Sequence, residues 1–306
     1  MQAQQPVKGG FIVTLTLLVA LLVALYSFQS LFTRLYTRQY QGNNAEMAAP
    51  VFSVCYGAFI ALVSLIAGGF SFSPSWRTWL FGLAGGAVLL LYNVSMIESG
   101  KRGSYSFLMI SSMFGGILIP LAAGVLFMGE RLSALQICAV ALMLLALAVM
   151  NSRGLSVRGA APKYLLWCAL LFAANGLYGT LMNAQATLLN GAESAEMLVI
   201  LYGSSVLLAV GREHALGRRK ELRDGFHMGK GAVWMLLICC ASATAAARLL
   251  LWVLARMDSG ILYTVENGGV LTLSILYSVL LFRERPSAWQ ALGMLMALVS
   301  VVMIGL

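Results

Sequence analysis

The chain has 306 residues, 60% of them hydrophobic and only 10% charged, with mean hydropathy +0.86 and formal net charge +9. Soluble domains carry about 25% charged residues, so the composition excludes a soluble enzyme and a disordered protein. It also excludes a nucleic-acid binder, because the basic residues sit in short loops between apolar runs, where membrane proteins use them for orientation and lipid contact.

In chain order the apolar runs predict ten helices, over 11–36, 47–69, 76–98, 103–128, 132–151, 163–189, 194–211, 231–257, 260–282 and 286–306. Ten spans of about 20 residues need about 200, and the remainder holds no second, soluble domain. Barrel strands would alternate over about 10 residues, much shorter than these runs. Met1 to Gly10 carries one Lys and no cleavage-site pattern, so the first run is read as a retained helix. Cys55, Cys138, Cys168, Cys239 and Cys240 all fall inside apolar runs and are expected to be buried packing residues without disulfides.

The polar link at 152–162 divides the chain into two similar halves. At a shift of 154 residues, Gly129-Glu130-Arg131 meets Arg283-Glu284-Arg285, and eight of the twenty positions 125–144 match, including Glu-Arg-x-Ser-Ala-x-Gln. At a shift of 150, Ala45-Glu46-Met47 meets Ala195-Glu196-Met197, and a nearby shift pairs Tyr56-Gly57 with Tyr202-Gly203. Five helices per half is an odd number, so the second half enters the bilayer from the opposite side. The expected fold is all-α and integral to the membrane, with ten transmembrane helices as two inverted five-helix repeats, 1–151 and 163–306, forming one transmembrane domain. Many secondary transporters are built this way, with the substrate near the midplane.

Two sets of five helices, each with a Gly/Arg-Glu-Arg-x-Ser-x-x-Gln turn before its last helix, resemble the EamA-like family of the drug/metabolite transporter superfamily across essentially the whole chain. The resemblance implies a ten-helix alternating-access carrier for small metabolites in the plasma membrane. Where the family's first helix commonly has Trp-Gly, this chain has Ala24-Leu25-Tyr26-Ser27.

The repeated turn also has a local physical role. Ser133 with Gln136, and Ser287 with Gln290, have capping-box spacing, and Glu130 and Glu284 then fall near a helix N-terminus, where negative charge is favoured. The other reading is a gating ion pair with Arg131 or Arg285. Gly85-Gly86 and Gly115-Gly116 suggest close helix packing, with hinges as the other reading, and Pro120 a kink in the fourth helix.

Polar side chains in hydrocarbon are costly and usually face a cavity or a partner, and residues three or four apart share a helix face. Such stripes are Tyr26, Gln29 and Thr33 on the first helix; Tyr92, Asn93 and Met96 on the third; and Tyr105, Met109 and Ser112 on the fourth. The sixth has Asn175, Tyr178, Met182 and Gln185; the eighth Thr244, Arg248 and Trp252; the ninth Tyr263, Glu266 and Asn267. These six helices are expected to line a cavity, with the second, fifth, seventh and tenth mainly packing.

Arg248 lies ten residues before Asp258 and Glu266 eight after it, which places them about 15 and 12 Å from the same surface. They either pair with each other or face the substrate. In the second case Glu266 binds a cationic group and Arg248 a carboxylate or phosphate, or Glu266 carries a coupling proton. The aromatics Tyr26, Tyr92, Tyr178, Trp252 and Tyr263 would suit an organic cation by cation–π attraction.

The terminal side of the membrane would carry four basic residues and the opposite side fifteen. The positive-inside rule then puts the termini outside, whereas the family resemblance implies cytoplasmic termini. The loop with Arg218-Arg219-Lys220 and Arg223 is expected near anionic lipid.

No phosphate loop, nucleophile triad or zinc spacing occurs, so no enzyme activity, cofactor or metal is expected. The expected function is a secondary active transporter of a small polar or cationic metabolite, of amino acid, amine or quaternary ammonium type. The alternative is a ligand-binding membrane scaffold or sensor. Expected partners are the small-molecule substrate, a coupling proton or ion, and the lipid bilayer, with the chain a monomer or homodimer.

Overall fold

The computed structural model describes residues 9–40, 45–100, 102, 105–150, 161–282 and 287–304. The described residues form helices and turns. The α-helices are α1 (Gly9–Gln39), α2 (Ala48–Ala67), α3 (Trp76–Gly100), α4 (Tyr105–Phe127), α5 (Ala134–Met150), α6 (Pro162–Leu188), α7 (Ser194–Ala215), α8 (Arg219–Gly225), α9 (Lys230–Leu254), α10 (Ser259–Phe282) and α11 (Ala288–Ile304). A 3₁₀ turn, Ala45–Met47, precedes α2.

Each predicted helix coincides with one of the ten long helices to within a few residues. The eighth, ninth and tenth predicted helices are α9, α10 and α11. The difference is α8, a seven-residue helix inside the charged loop between the seventh and eighth predicted helices. Its Leu222 is buried with Met47 and Val51 at the start of α2, an apolar anchor for an otherwise charged segment.

Among the described residues, six helical segments are long and apolar enough to cross a membrane: Thr14–Gln39, Ala48–Ala67, Trp76–Met96, Pro162–Leu188, Ser194–Ala215 and Lys230–Leu254. Large apolar side chains point outward all around the bundle, such as Leu207 (75% exposed), Leu126 (72%) and Leu295 (60%). This is the surface of a multi-pass membrane protein, because water would not tolerate so continuous an apolar exterior.

The long helices pair across the two halves of the chain. The principal pairs are α1 with α9 and α10, α6 with α3 and α4, α2 with α7, α5 with α11, α4 with α10, α3 with α7, and α2 with α9. Exchanging α1–α5 for α6, α7, α9, α10 and α11, in order, returns the same set of principal pairs.

Glycines allow the closest crossings. A Cβ at Gly115 of α4 would lie 2.0 Å from the Phe172 carbonyl oxygen of α6, and one at Gly86 of α3 would lie 2.7 Å from the Leu201 carbonyl oxygen of α7. The largest core cluster joins both halves and includes Leu22, Ile60, Met182, Leu201, Leu251 and Tyr263. A second cluster, with Ile117, Met143 and Leu147, seals α4 against α5 and α11. All five cysteines are free thiols. Cys138, expected to be buried, is exposed on the outer face of α5, and Cys55 is only half-buried.

Candidate functional site

A cavity of about 200 Å³ lies between the halves. Helical spacing builds most of its wall. Tyr26 and Gln29 on α1, Leu89 and Tyr92 on α3, Asn175 and Tyr178 on α6, and Tyr263, Glu266 and Asn267 on α10 all line it. Each helix contributes a pair three apart, and on α10 Glu266 and Asn267 lie three and four residues after Tyr263, so the residues on each helix share a face. Leu250 of α9 and the backbone at Gly116 and Gly179 complete those helices' share of the wall. Gly116 leaves room for two amides, since a Cβ there would lie 2.7 Å from Asn175 Nδ2 and 3.6 Å from Asn267 Nδ2.

The helices expected only to pack also contribute. Tyr56 of α2 and Tyr202 of α7 line the cavity, bringing its tyrosines to six. The signal for both was the repeated Tyr-Gly pair, Tyr56-Gly57 and Tyr202-Gly203. A single tyrosine per helix makes no stripe, so periodicity could not find them.

Hydrogen bonds orient much of the lining. Gln29 Nε2 donates to the Tyr56 hydroxyl at 2.9 Å, and the Tyr178 and Tyr202 hydroxyls are bonded at 3.1 Å. The Tyr56 and Tyr202 rings meet edge to face, 5.9 Å between centroids. Asn175 Nδ2 donates to the Ser112 carbonyl at 2.8 Å, and Asn267 Nδ2 to the Tyr263 carbonyl at 2.8 Å. The Tyr263 hydroxyl donates to the Gly179 carbonyl at 3.0 Å, tying α10 to α6.

Gln29 Oε1 is buried without a hydrogen-bond partner. Glu266 lines the cavity, and its carboxylate makes no ion pair or hydrogen bond among the described residues.

Three expected site residues lie off this wall. Arg248 is half-buried, its Nη1 buried without a hydrogen-bond partner, and it forms no ion pair with Glu266. Trp252 is 38% exposed and is covered by the Arg256 guanidinium, 3.8 Å from its ring centroid. The stripe Thr244, Arg248, Trp252 advances in steps of four, and each step rotates about 40° away from the starting face of a 3.6-residue helix. The buried face of α9 instead follows Ala243, Ala247, Leu250 and Leu254. Asn93 is half-buried next to Tyr92, about 100° around α3 from it, and does not reach the wall. Glu284 and the Tyr105 side chain lie outside the described residues.

The capping boxes form at both repeated turns. Gln136 Oε1 accepts from Ser133 N at 2.9 Å, and Ser133 Oγ from Gln136 N at 3.2 Å. Gln290 Oε1 accepts from Ser287 N at 2.8 Å, and Ser287 Oγ from Gln290 N at 3.3 Å. Glu130 does something else. It neither pairs with Arg131 nor serves α5, the helix that follows it. Its carboxylate instead accepts from Ser259 N and Oγ, at 3.0 and 2.7 Å, and from Asn183 Nδ2 at 3.2 Å. It therefore caps α10, because four orphan N–H groups at that helix start attract the charge.

Glu193 plays a similar part at the start of α3. It accepts from the Thr78 hydroxyl and from Ser75 N and Oγ, the latter two at 2.9 Å each. The Thr78 hydrogen bond, more than burial opposes it and with Ser75 adding to it, holds the Glu193 carboxyl below its ordinary value. At the other clamp, burial and then the Glu130 charge push the Asp258 carboxyl above its ordinary value.

No protein-family model matches the chain, and no curated protein matches it. A solved structure described only as a crystal structure of a protein is similar to it, with a TM-score of 0.70 at 16% identity, covering 95% of this chain and 96% of that one. At that identity the likeness shows a shared fold alone, extending over nearly the full length of both chains.

Proposed function

We propose that the chain is a secondary carrier that moves a small organic cation, of the amine or quaternary ammonium type, by alternating access. The observation that carries this reading is Glu266, a carboxylate without an ion pair or hydrogen bond among the described residues, in a wall with six tyrosines and no basic side chain. An uncompensated carboxylate at membrane depth is costly and marks a functional site by default. A bound cation offsets that cost directly, and tyrosine ring faces add cation–π attraction. Gln29 Oε1 offers an acceptor to an ammonium N–H. An amino acid would also need a cation for its carboxylate. Arg248, the sequence's candidate for that task, lies off the wall, which favours amines over amino acids.

In this reading residues 1–151 and 163–306 are inverted five-helix repeats in one transmembrane domain, and the chain is an EamA-like drug/metabolite transporter of the plasma membrane. The repeated Glu-Arg-x-Ser-Ala-x-Gln turn and the exchange of helix pairs between halves support it. In this reading the bond between Tyr263 and Gly179, with the Glu130 cap at the start of α10, serves as the closure on one side of the cavity. Transport requires that closure to alternate with another on the opposite side. When the cation leaves, a proton on Glu266 is the simplest replacement, which would couple the two fluxes.

Counterflow in proteoliposomes, with tetramethylammonium and choline as probes, tests the reading. Wild type should exchange the cation, and Glu266→Gln should not, while keeping its thermal unfolding midpoint without ligand. A chain that the cation protects against heat but that exchanges none would be a binder or sensor. Unchanged exchange in Glu266→Gln would remove Glu266 from the site.

A further inference from the structure

A second hollow of about 370 Å³ lies outside the carrier pathway, between α2 and α9. Its origin is a difference between the two halves. α3 and α9 are both 25 residues long and start 154 positions apart, the same shift that aligns the repeated turns. At that shift Leu236 and Cys240 stand where α3 has Gly82 and Gly86. The glycines let α3 close on α7: a Cβ at Gly82 would lie 2.6 Å from Ile200, and one at Gly86 2.0 Å from Ser204 Oγ. In α9 the larger Leu236 and Cys240 side chains occupy that position, α9 meets α2 less closely, and a groove remains.

Every side chain lining the groove is apolar or a thiol. It runs from Met228, just before α9, past Val233 and Leu237 to Cys240, with Ala58 and Leu62 on the α2 wall. From Val233 to Cys240 this is about 10 Å at 1.5 Å per residue, most of a leaflet about 15 Å thick. Val233, Leu237 and Leu62 are exposed, so the groove opens sideways toward lipid.

Its mouth is charged. Lys230, three residues before Val233 and seven before Leu237, falls on the same stripe of α9 and is exposed. α8 ends three residues before Met228 and carries Arg219, Lys220 and Arg223 against Glu221 and Asp224. Its Gly225 packs on Val51 of α2, which sets α8 at the Met228 end of the groove, with Arg223 paired to Asp224 at 3.7 Å.

We propose that this groove binds one anionic glycerophospholipid, with an acyl chain along α2 and α9 and its phosphate at Lys230. The apolar lining admits hydrocarbon and nothing that needs a hydrogen bond. The basic mouth selects the headgroup, as clustered Lys and Arg do at membrane surfaces. The site is independent of whether the chain transports anything.

Native mass spectrometry of the full chain tests this, after equilibration in detergent with phosphatidylglycerol or phosphatidylcholine. Wild type should retain one phosphatidylglycerol in preference to phosphatidylcholine. Lys230→Glu is a surface change that leaves the bundle intact, and it should cut that preference at least about fivefold, the factor expected for one basic residue near the membrane surface. Ala58→Trp fills the groove and should lose both lipids, with circular dichroism checking its fold. Equal retention of the two lipids by wild type, or none, overturns the proposal. So does a Lys230→Glu protein that keeps the wild-type preference. A dimer that Ala58→Trp dissociates would assign the groove to a second copy and also overturn it.

Discussion

Glu130 and Ser259 stand 129 residues apart and in different halves of the chain, yet the Glu130 carboxylate accepts both the backbone N–H and the hydroxyl of Ser259. The converse contact runs from Glu193 in the second half to Ser75 and Thr78 in the first. Each carboxylate caps the start of a helix that belongs to the other half. Neither cap is a property of its own neighbourhood in sequence.

Removing the Glu130 cap should cost more than an ordinary N-cap, because several donors lose a charged acceptor at once. Glu130→Ala is expected to lower the unfolding free energy by about 2–3 kcal/mol. Gly124→Ala should act through the same contact, since a Cβ there would lie 2.2 Å from Glu130 Oε2. The two losses should therefore not add. Denaturant unfolding of both single variants and the double variant measures this, and additive losses would separate Gly124 from the cap.

The Glu193 clamp predicts an acid-side dependence. The Glu193 carboxyl is held below its ordinary value in the folded protein, chiefly by Thr78, so the unfolded chain binds its proton first as pH falls. Its contribution is complete above the unfolded value of about 4.3 and is lost as pH drops through the folded value. Thr78→Val should flatten the fall in unfolding midpoint below about pH 4.3. Asp258 has the opposite sign: its folded value is raised, so its contribution is present at low pH and lost as pH rises through that value. Midpoints measured from pH 3 to 6 in both backgrounds decide the matter, and parallel curves would dismiss the clamp.

Glu266 and Arg248 should separate in binding. Choline-induced thermal stabilisation should vanish in Glu266→Gln and persist in Arg248→Ala, because Arg248 is not part of the cavity wall. Loss of the response in both variants would return Arg248 to the site.

Close approach of α4 and α6 predicts a contrast between two glycines. At Gly115 a Cβ would meet the Phe172 carbonyl, and Gly115→Ala should destabilise by about 1–3 kcal/mol. At Gly203 nothing lies within 4 Å, and Gly203→Ala should be neutral or stabilising by up to about 1 kcal/mol from helix propensity. Similar unfolding midpoints for the two variants would contradict the packing described.

Much of this protein is written locally. The long helices are legible as uninterrupted apolar runs, and wherever such a run crosses hydrocarbon its backbone must satisfy its own hydrogen bonds. The capping boxes at Ser133 and Ser287 follow from partners three residues away. The face carrying Tyr263, Glu266 and Asn267 follows from helical spacing alone. The tertiary structure decided the rest. It turned Arg248 and Trp252 off the wall, brought in Tyr56 and Tyr202, sent Glu130 to α10, and left a groove where Leu236 and Cys240 replace glycine. Apolar length and hydrogen bonds within a turn are settled by neighbours in sequence. The rotation of a helix about its own axis is settled by packing against helices from the other half of the chain, and that rotation determines which side chains reach the cavity.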